Sequence, residues 1–401
     1  TLAKYHAKGQ ERLGGSEAVK KLIGGPWAVR YSLSHLVKDE ETLSEDAWKA
    51  TAMILPHGPL AAGYLTGRFD CISVSSAAST GIMDLRTNWW CKEMLNCLEK
   101  AEHREMAWRT LPTILKDMNE RIGQLSLGLG FDARLIEQFI LPRRLPDIFP
   151  TLDDQAAGLV GGGAVDAGQV AVILGNSAVV NSSAADAPKS GSLDCMKLNW
   201  GPYLWMRCYS NGAQFLDRVV GPKPEWDAFE RAARAVPPGC NGTAVLPFVL
   251  SEPSIGVLAP RFEWISSEPK DPGVRFRASL EALAYLIGLG VREHEGAGQK
   301  VTRITVSGGI ARSALMIEIL ASVIGRPLER LVSNEGTALG AAVVALAGIE
   351  TYNRRKDQDP EPFTVADAVK ELVQFKEPVA PVREWQGVYA KGIEEFRGRI
   401  G

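Results

Sequence analysis

From Val301 to Ala347 the chain changes its hydrophobic period repeatedly, and this stretch most limits the folds available to it. Val301–Val306 is an apolar, β-branched run that ends in Ser307-Gly308-Gly309. A helical pattern follows over Ser313–Ile324, then a short apolar run over Leu328–Val332, then the alanine-rich stretch Glu335–Ala347. Strand, glycine turn, helix, strand, helix is the order of an α/β protein. The same punctuation occurs upstream. Gln169–Leu174 is apolar, Gly175-Asn176-Ser177 is a polar tip, and Ala178–Asn181 continues extended, which predicts a β-hairpin.

Glycine turns of this kind let several backbone N–H groups converge on a phosphate, and they permit the close approach it needs. Either turn alone is an ordinary tight turn. Neither fits GxxxxGK[ST] or GxGxxG with a downstream acid, so the common NTPase and dinucleotide motifs are disfavoured. Ahead of both lies Leu145–Pro150, a short extended piece, then Asp153-Asp154 where a small-residue helix should begin. A carboxylate in that position caps a helix, or it serves as a general base at a cleft. Phosphoryl transfer to an alcohol needs an acid that aligns the hydroxyl and accepts its proton.

Composition narrows the class. The chain has 401 residues, a net charge of -2 and 45% hydrophobic residues, an ordinary globular balance without the basic excess of nucleic-acid or membrane-surface proteins. No apolar run approaches the ~20 residues of a membrane span. The cysteines are Cys71, Cys91, Cys97, Cys195, Cys208 and Cys240; they lack paired spacing, which predicts reduced thiols and a cytoplasmic protein. No metal-ligand cluster is expected. Further helices are predicted over Ser44–Met53 with Ser44 as N-cap, from Leu55 to Gly67, and over Trp89–Lys100, Leu135–Phe139, Phe276–Gly288, Val365–Leu372 and Trp385–Phe396. A strand is expected at Leu246–Leu250, and a charged loop from Tyr352 to Pro362.

Taken in order, these residues resemble the FGGY carbohydrate kinases, the xylulokinase branch most closely. Asp154-Gln155-Ala156-Ala157-Gly158 is similar to the family's Asp-[Asn/Gln]-x-Ala-Gly element. Gly175-Asn176-Ser177 stands where the family has Gly-Thr-Ser. Arg277–Ala282, Ser307–Ser313 and Glu335–Ala342 resemble Arg-Ala-x-x-Glu-Gly, Gly-Gly-Gly-Ala-x-Ser and Glu-x-x-Ala-Leu-Gly-Ala-Ala. The resemblance implies an actin/Hsp70-like (ribonuclease H-like) ATPase fold, with two domains around a nucleotide cleft and the first incomplete. It would divide the chain into 1–150, 151–350 and a helical tail 351–401. It implies ATP, Mg²⁺ and a sugar, most closely a ketopentose such as xylulose, and it implies a homodimer.

By position, Asp154 would be the base, and Asp153, Asp154 and Gln155 would face the sugar. Gly175, Asn176 and Ser177 would hold phosphates, while Gly308, Gly309, Ile310 and Ser313 would border the adenosine. Arg277 and Glu281 are expected to be structural. A site role for Glu252 is doubtful because Pro253 replaces the family's arginine. Ile310 is bulkier than the family's alanine and is expected to narrow the nucleotide pocket. Nothing before residue 30 resembles the family's Asp-x-Gly-Thr phosphate loop. A chain without that loop is expected to turn over slowly, or to bind nucleotide or sugar without efficient turnover. A chaperone- or actin-like ATPase is disfavoured by the Asp154 and Arg277 segments.

Overall fold

The computed structural model describes residues 1–126, 134, 145–190, 192–222 and 224–400. Its centre is a mixed six-stranded sheet. In chain order the strands are β1 (Gln169–Leu174), β2 (Ala178–Ala184), β3 (Asp194–Lys197), β4 (Tyr203–Tyr209), β5 (Arg303–Ser307) and β6 (Glu329–Arg330). Their spatial order is β6-β5-β1-β2-β4-β3. β5 runs parallel to β1 and β6, while β1, β2, β4 and β3 pair antiparallel.

Side chains alternate faces along a strand, and β1 shows the consequence. Val170, Val172 and Leu174 enter a core shared with Leu283, Ile287, Leu315 and Ile319. Ala171 enters a second core with Ala156 and Leu159, which continues to Val19, Leu33, Ile72 and Met94 of the N-terminal part. One face of the sheet is therefore covered by C-terminal helices and the other by the chain before residue 115. The apolar contact is continuous across residue 150.

Three helices organise the site. They are α1 (Asp154–Gly161), α2 (Pro272–Gly296) and α3 (Gly336–Lys356). α2 begins before its apolar stretch because Asp271 caps it, accepting from the amides of Gly273 and Val274, and Pro272 sits where no N–H is needed. Inside α2, Arg277 and Glu281 form a buried pair at 3.0 Å, closed by the Tyr389 hydroxyl at 2.9 Å from Arg277 and 3.0 Å from Glu281. This is the structural role expected of them. α1 and α3 cross antiparallel at van der Waals distance between backbones. A Cβ on Gly161 would lie 1.7 Å from Gly336 O, and one on Gly340 would lie 1.8 Å from Ala157 O.

The structure corrects several local expectations. Trp89–Lys100 is not a helix: Trp89–Trp90 is a short strand, Lys92–Cys97 is a 3₁₀ helix, and the α-helix follows at Ala101–Arg109. The two tryptophans favour extended backbone, and Trp90 anchors there through its indole N–H to Pro112 O at 2.7 Å. The charged loop expected from Tyr352 starts later, because α3 runs on to Lys356. Three basic residues in its last turn suit the negative end of the helix dipole. The polar segment before residue 43 holds three helices, Leu2–Arg12, Ser16–Ile23 and Ser32–Thr42. The helix expected at Leu135–Phe139 lies outside the described residues. Among the described residues no helix is long and apolar enough to cross a membrane.

Candidate active site

The two glycine turns meet at one edge of the sheet. Ser307 at the end of β5 pairs with Ile173 near the end of β1, and the strands are parallel, so both chains leave the sheet on the same side. Gly308 has φ +95°, and a Cβ there would sit 2.4 Å from Leu174 O. Only glycine fits that backbone shape and that approach. Gly309 and Asn176 are exposed, while Gly175, Ser177, Gly308 and Ser313 are half-buried. Ile310 is different: its side chain belongs to the apolar core. Ser313 caps the Ala314–Ile324 helix by accepting from the Met316 amide.

The hairpin tip is braced from outside. The Gly175 N–H donates to Ser177 O at 3.0 Å within the turn. The amides of Gly212 and Ala213 donate to the carbonyls of Asn176 and Gly175, each at 2.9 Å. That second turn is itself held by Glu252, whose carboxylate accepts from Ser210 N at 2.6 Å and Asn211 Nδ2 at 3.1 Å. Glu252 is thus a positioning residue two contacts removed from the tip. Asn211 carries no signal in the sequence, because its loop approaches the hairpin from some 35 positions later.

Asp153 and Asp154 have different environments. Asp153 is the N-cap of α1 and accepts from the Gln155 amide at 3.1 Å. Its own amide donates to Ser75 Oγ at 3.1 Å, and Ser75 N donates to Asn199 Oδ1 at 2.8 Å. Asn199 Nδ2 reaches Thr151 O at 3.1 Å, so one side chain ties the Ser75 segment to the approach of the aspartate pair. Asp154 is exposed, with Oδ1 accepting from Gln155 N at 2.8 Å. The Gln155 side chain is fixed by Asn181 Nδ2 of β2 at 3.0 Å. Ser75, Asn181 and Asn199 were not singled out from the sequence.

Burial pushes the Asp153 carboxyl up from 3.8 to about 6, the Asp154 charge adds to the rise, and the hydrogen bond from Gln155 N opposes it. Desolvation outweighs the helix terminus here. The folded state therefore binds a proton more readily than the unfolded chain between about pH 4 and pH 6, so stability falls as pH rises through that window. Asp153→Asn keeps a capping oxygen without the charge. Its thermal midpoint should exceed that of the parent above pH 6 by the equivalent of about 1–3 kcal/mol, and the difference should close below pH 4. A variant less stable than the parent at pH 7.5 would contradict this reading.

Among the described residues no group of three or more His, Cys, Asp or Glu side chains could hold a metal ion by itself. Mg²⁺ commonly takes one or two carboxylates together with waters and substrate phosphates. An ion held mainly through substrate phosphates and waters would leave Asp154 free to act on a proton.

Known proteins share this architecture. Residues 225–349 match the FGGY family of carbohydrate kinases, C-terminal domain. A xylulose kinase of Haemophilus influenzae is 24% identical over 348 residues, covering 84% of this chain and 66% of that protein. An autoinducer-2 kinase of Yersinia pestis is 27% identical over 313 residues, covering 73% of this chain and 56% of that protein. The chain thus spans less than two thirds of these relatives. The crystal structure of xylulose kinase from Rhodospirillum rubrum superimposes with a TM-score of 0.77 at 21% identity, over 96% of this chain and 74% of that one.

Proposed function

From a chain with the fold of the sugar kinases, whose residues 225–349 belong to the FGGY family, we propose an ATP-dependent phosphotransferase acting on a sugar hydroxyl. Asp154 is its general base, and a ketopentose such as xylulose is its acceptor. The observation that carries this reading is the pairing of two glycine turns at one sheet edge with an exposed carboxylate at the start of α1.

The geometry supports these roles. Asn176 and Ser177 offer donors to phosphate oxygens, since the Gly175 N–H is engaged within its turn. Gly308 and Gly309 allow the nucleotide to approach the backbone closely. Mg²⁺, when bound with the nucleotide, would supply neutralisation of phosphate charge. Asp154 Oδ2 takes the proton as the sugar oxygen attacks, with the carboxylate orientation set by Gln155 and, behind it, Asn181. Asp153 is the half-buried partner that positions the turn. The test is ADP release from ATP and Mg²⁺ with a panel of ketoses, aldonates and polyols. Xylulose should give the highest rate above the no-sugar background. A panel with no member above background would overturn the kinase reading, and a higher rate for another sugar would overturn the acceptor.

A further inference from the structure

The face of the sheet that carries α1 also carries a charged pair that the roles above leave unused. Arg30 Nη2 donates to Asp194 Oδ2 at 2.6 Å, across 164 positions of sequence. The Arg30 guanidinium carbon also lies 5.5 Å from the centroid of the buried Tyr31 ring. Two contacts thus fix the arginine, yet its side chain is 51% exposed and that of Asp194 21%. Among the described residues, Arg30 Nε, Arg30 Nη1 and Asp194 Oδ1 have no hydrogen-bond partner.

Strand register places the pair. Asp194 opens β3 and pairs with Met206 of β4, which pairs in turn with Asn181 of β2. Opposed residues share a face of the sheet. Asp194 is therefore on the same face as Asn181, the residue that holds Gln155 at the start of α1. Two strand spacings of about 4.8 Å put roughly 10 Å between them. Because β3 begins at Asp194, β4 has no strand on that side beyond Met206, and Cys208 is half-buried. Cys208 pairs with Val179, two residues after Ser177 of the hairpin tip. Burial pushes the Cys208 thiol up, while the Arg30 charge and, more weakly, the Ser177 hydroxyl pull it down. On the other side, the Tyr31 hydroxyl is raised by burial first and then by Asp194, with Asp153 contributing less. The pair, the hairpin tip and the two aspartates thus surround one stretch of the sheet face.

The free atoms of the pair define what it can bind. Asp194 cancels the charge of Arg30, and the Asp153 and Asp154 carboxyls stand on the same face, so the pair does not favour an anion. What remains is a set of free donors beside a free acceptor. A vicinal diol matches that set: one hydroxyl accepts from Arg30 while its neighbour donates to Asp194. Both hydrogen bonds are of the stronger, charge-assisted kind.

We propose that Arg30 and Asp194 together recognise a vicinal diol of the sugar acceptor whose reacting hydroxyl lies at Asp154. This rests on the acceptor site of the proposed function and gives that site a specificity element. The test is titration calorimetry of the full chain with xylulose and with its 4-deoxy analogue, in the presence of a non-hydrolysable ATP analogue. The 4-hydroxyl belongs to both vicinal diols of the open-chain ketose. The parent should bind xylulose about tenfold more tightly than the analogue. Arg30→Met and Asp194→Ala should each weaken xylulose about tenfold and erase the preference over the analogue, with thermal unfolding reporting that each variant is folded. A purely structural ion pair would not change that ratio. A preference kept in both variants overturns the proposal, as does a parent that binds no xylulose. Variants that bind xylulose like the parent but turn over slowly overturn it too, and assign Arg30 to the transferring phosphoryl. Pair-dependent binding without any ADP release supports the pair and overturns the kinase reading alone.

Discussion

Asp154→Asn is expected to lower sugar-dependent ADP release by about 10²–10⁴-fold, the usual share of a positioned general base. The substitution keeps size and polarity. An asparagine oxygen still accepts from Gln155 N, so α1 should begin as before. What it loses is the ability to take a proton at neutral pH. ATP affinity, which the proposed function assigns to the glycine turns, should stay within about twofold. Single-turnover conditions keep a slow chain measurable. Unchanged turnover would remove Asp154 from the role of base. A parallel fall in ATP affinity would show that the substitution had disturbed the fold, and thermal unfolding of the same sample would reveal that.

The second large effect concerns stability. Gly340→Ala should destabilise the chain by about 3 kcal/mol. A methyl group there would fall 1.8 Å from Ala157 O, and the obstacle is backbone. No rotamer change relieves it, so α1 and α3 must separate. The loss should appear in the urea midpoint. The control is Gly387→Ala in the helix Arg383–Ile400, where an added Cβ meets nothing. That change should be neutral or stabilising by up to about 1 kcal/mol. Equal losses at the two positions would mean that helix propensity, not the contact, governs Gly340. Because α1 begins with Asp154, any displaced but folded form of Gly340→Ala should also lose turnover.

Local order was well marked in the sequence wherever one element follows its neighbour directly. The hairpin around Gly175, the strand ending at Ser307 and the cap at Ser44 all rest on residues a few positions apart. Two failures share one cause. Trp89–Lys100 has a helical spacing of apolar residues, but its burial is set by partners far along the chain, including Pro112. α3 was cut short because its last turns are charged. They remain helical because their residues bind distant groups, as Arg355 does with Asp117. Periodicity reads which side of an element is apolar; it does not read what will lie opposite.

The same distinction holds at the site. The sequence by itself determined the α/β order, the two glycine turns and the acidic pair at the start of α1, because each depends on local backbone demands: φ above zero, a cap, a strand end. Only the tertiary structure decided that the two turns share an edge, that Glu252 braces one of them through Asn211, and that Asp153 is half-buried while Asp154 faces solvent. Those outcomes depend on contacts between segments tens to more than a hundred residues apart. Two adjacent aspartates look alike in a sequence, and the dielectric around each is set by whatever the fold packs against it.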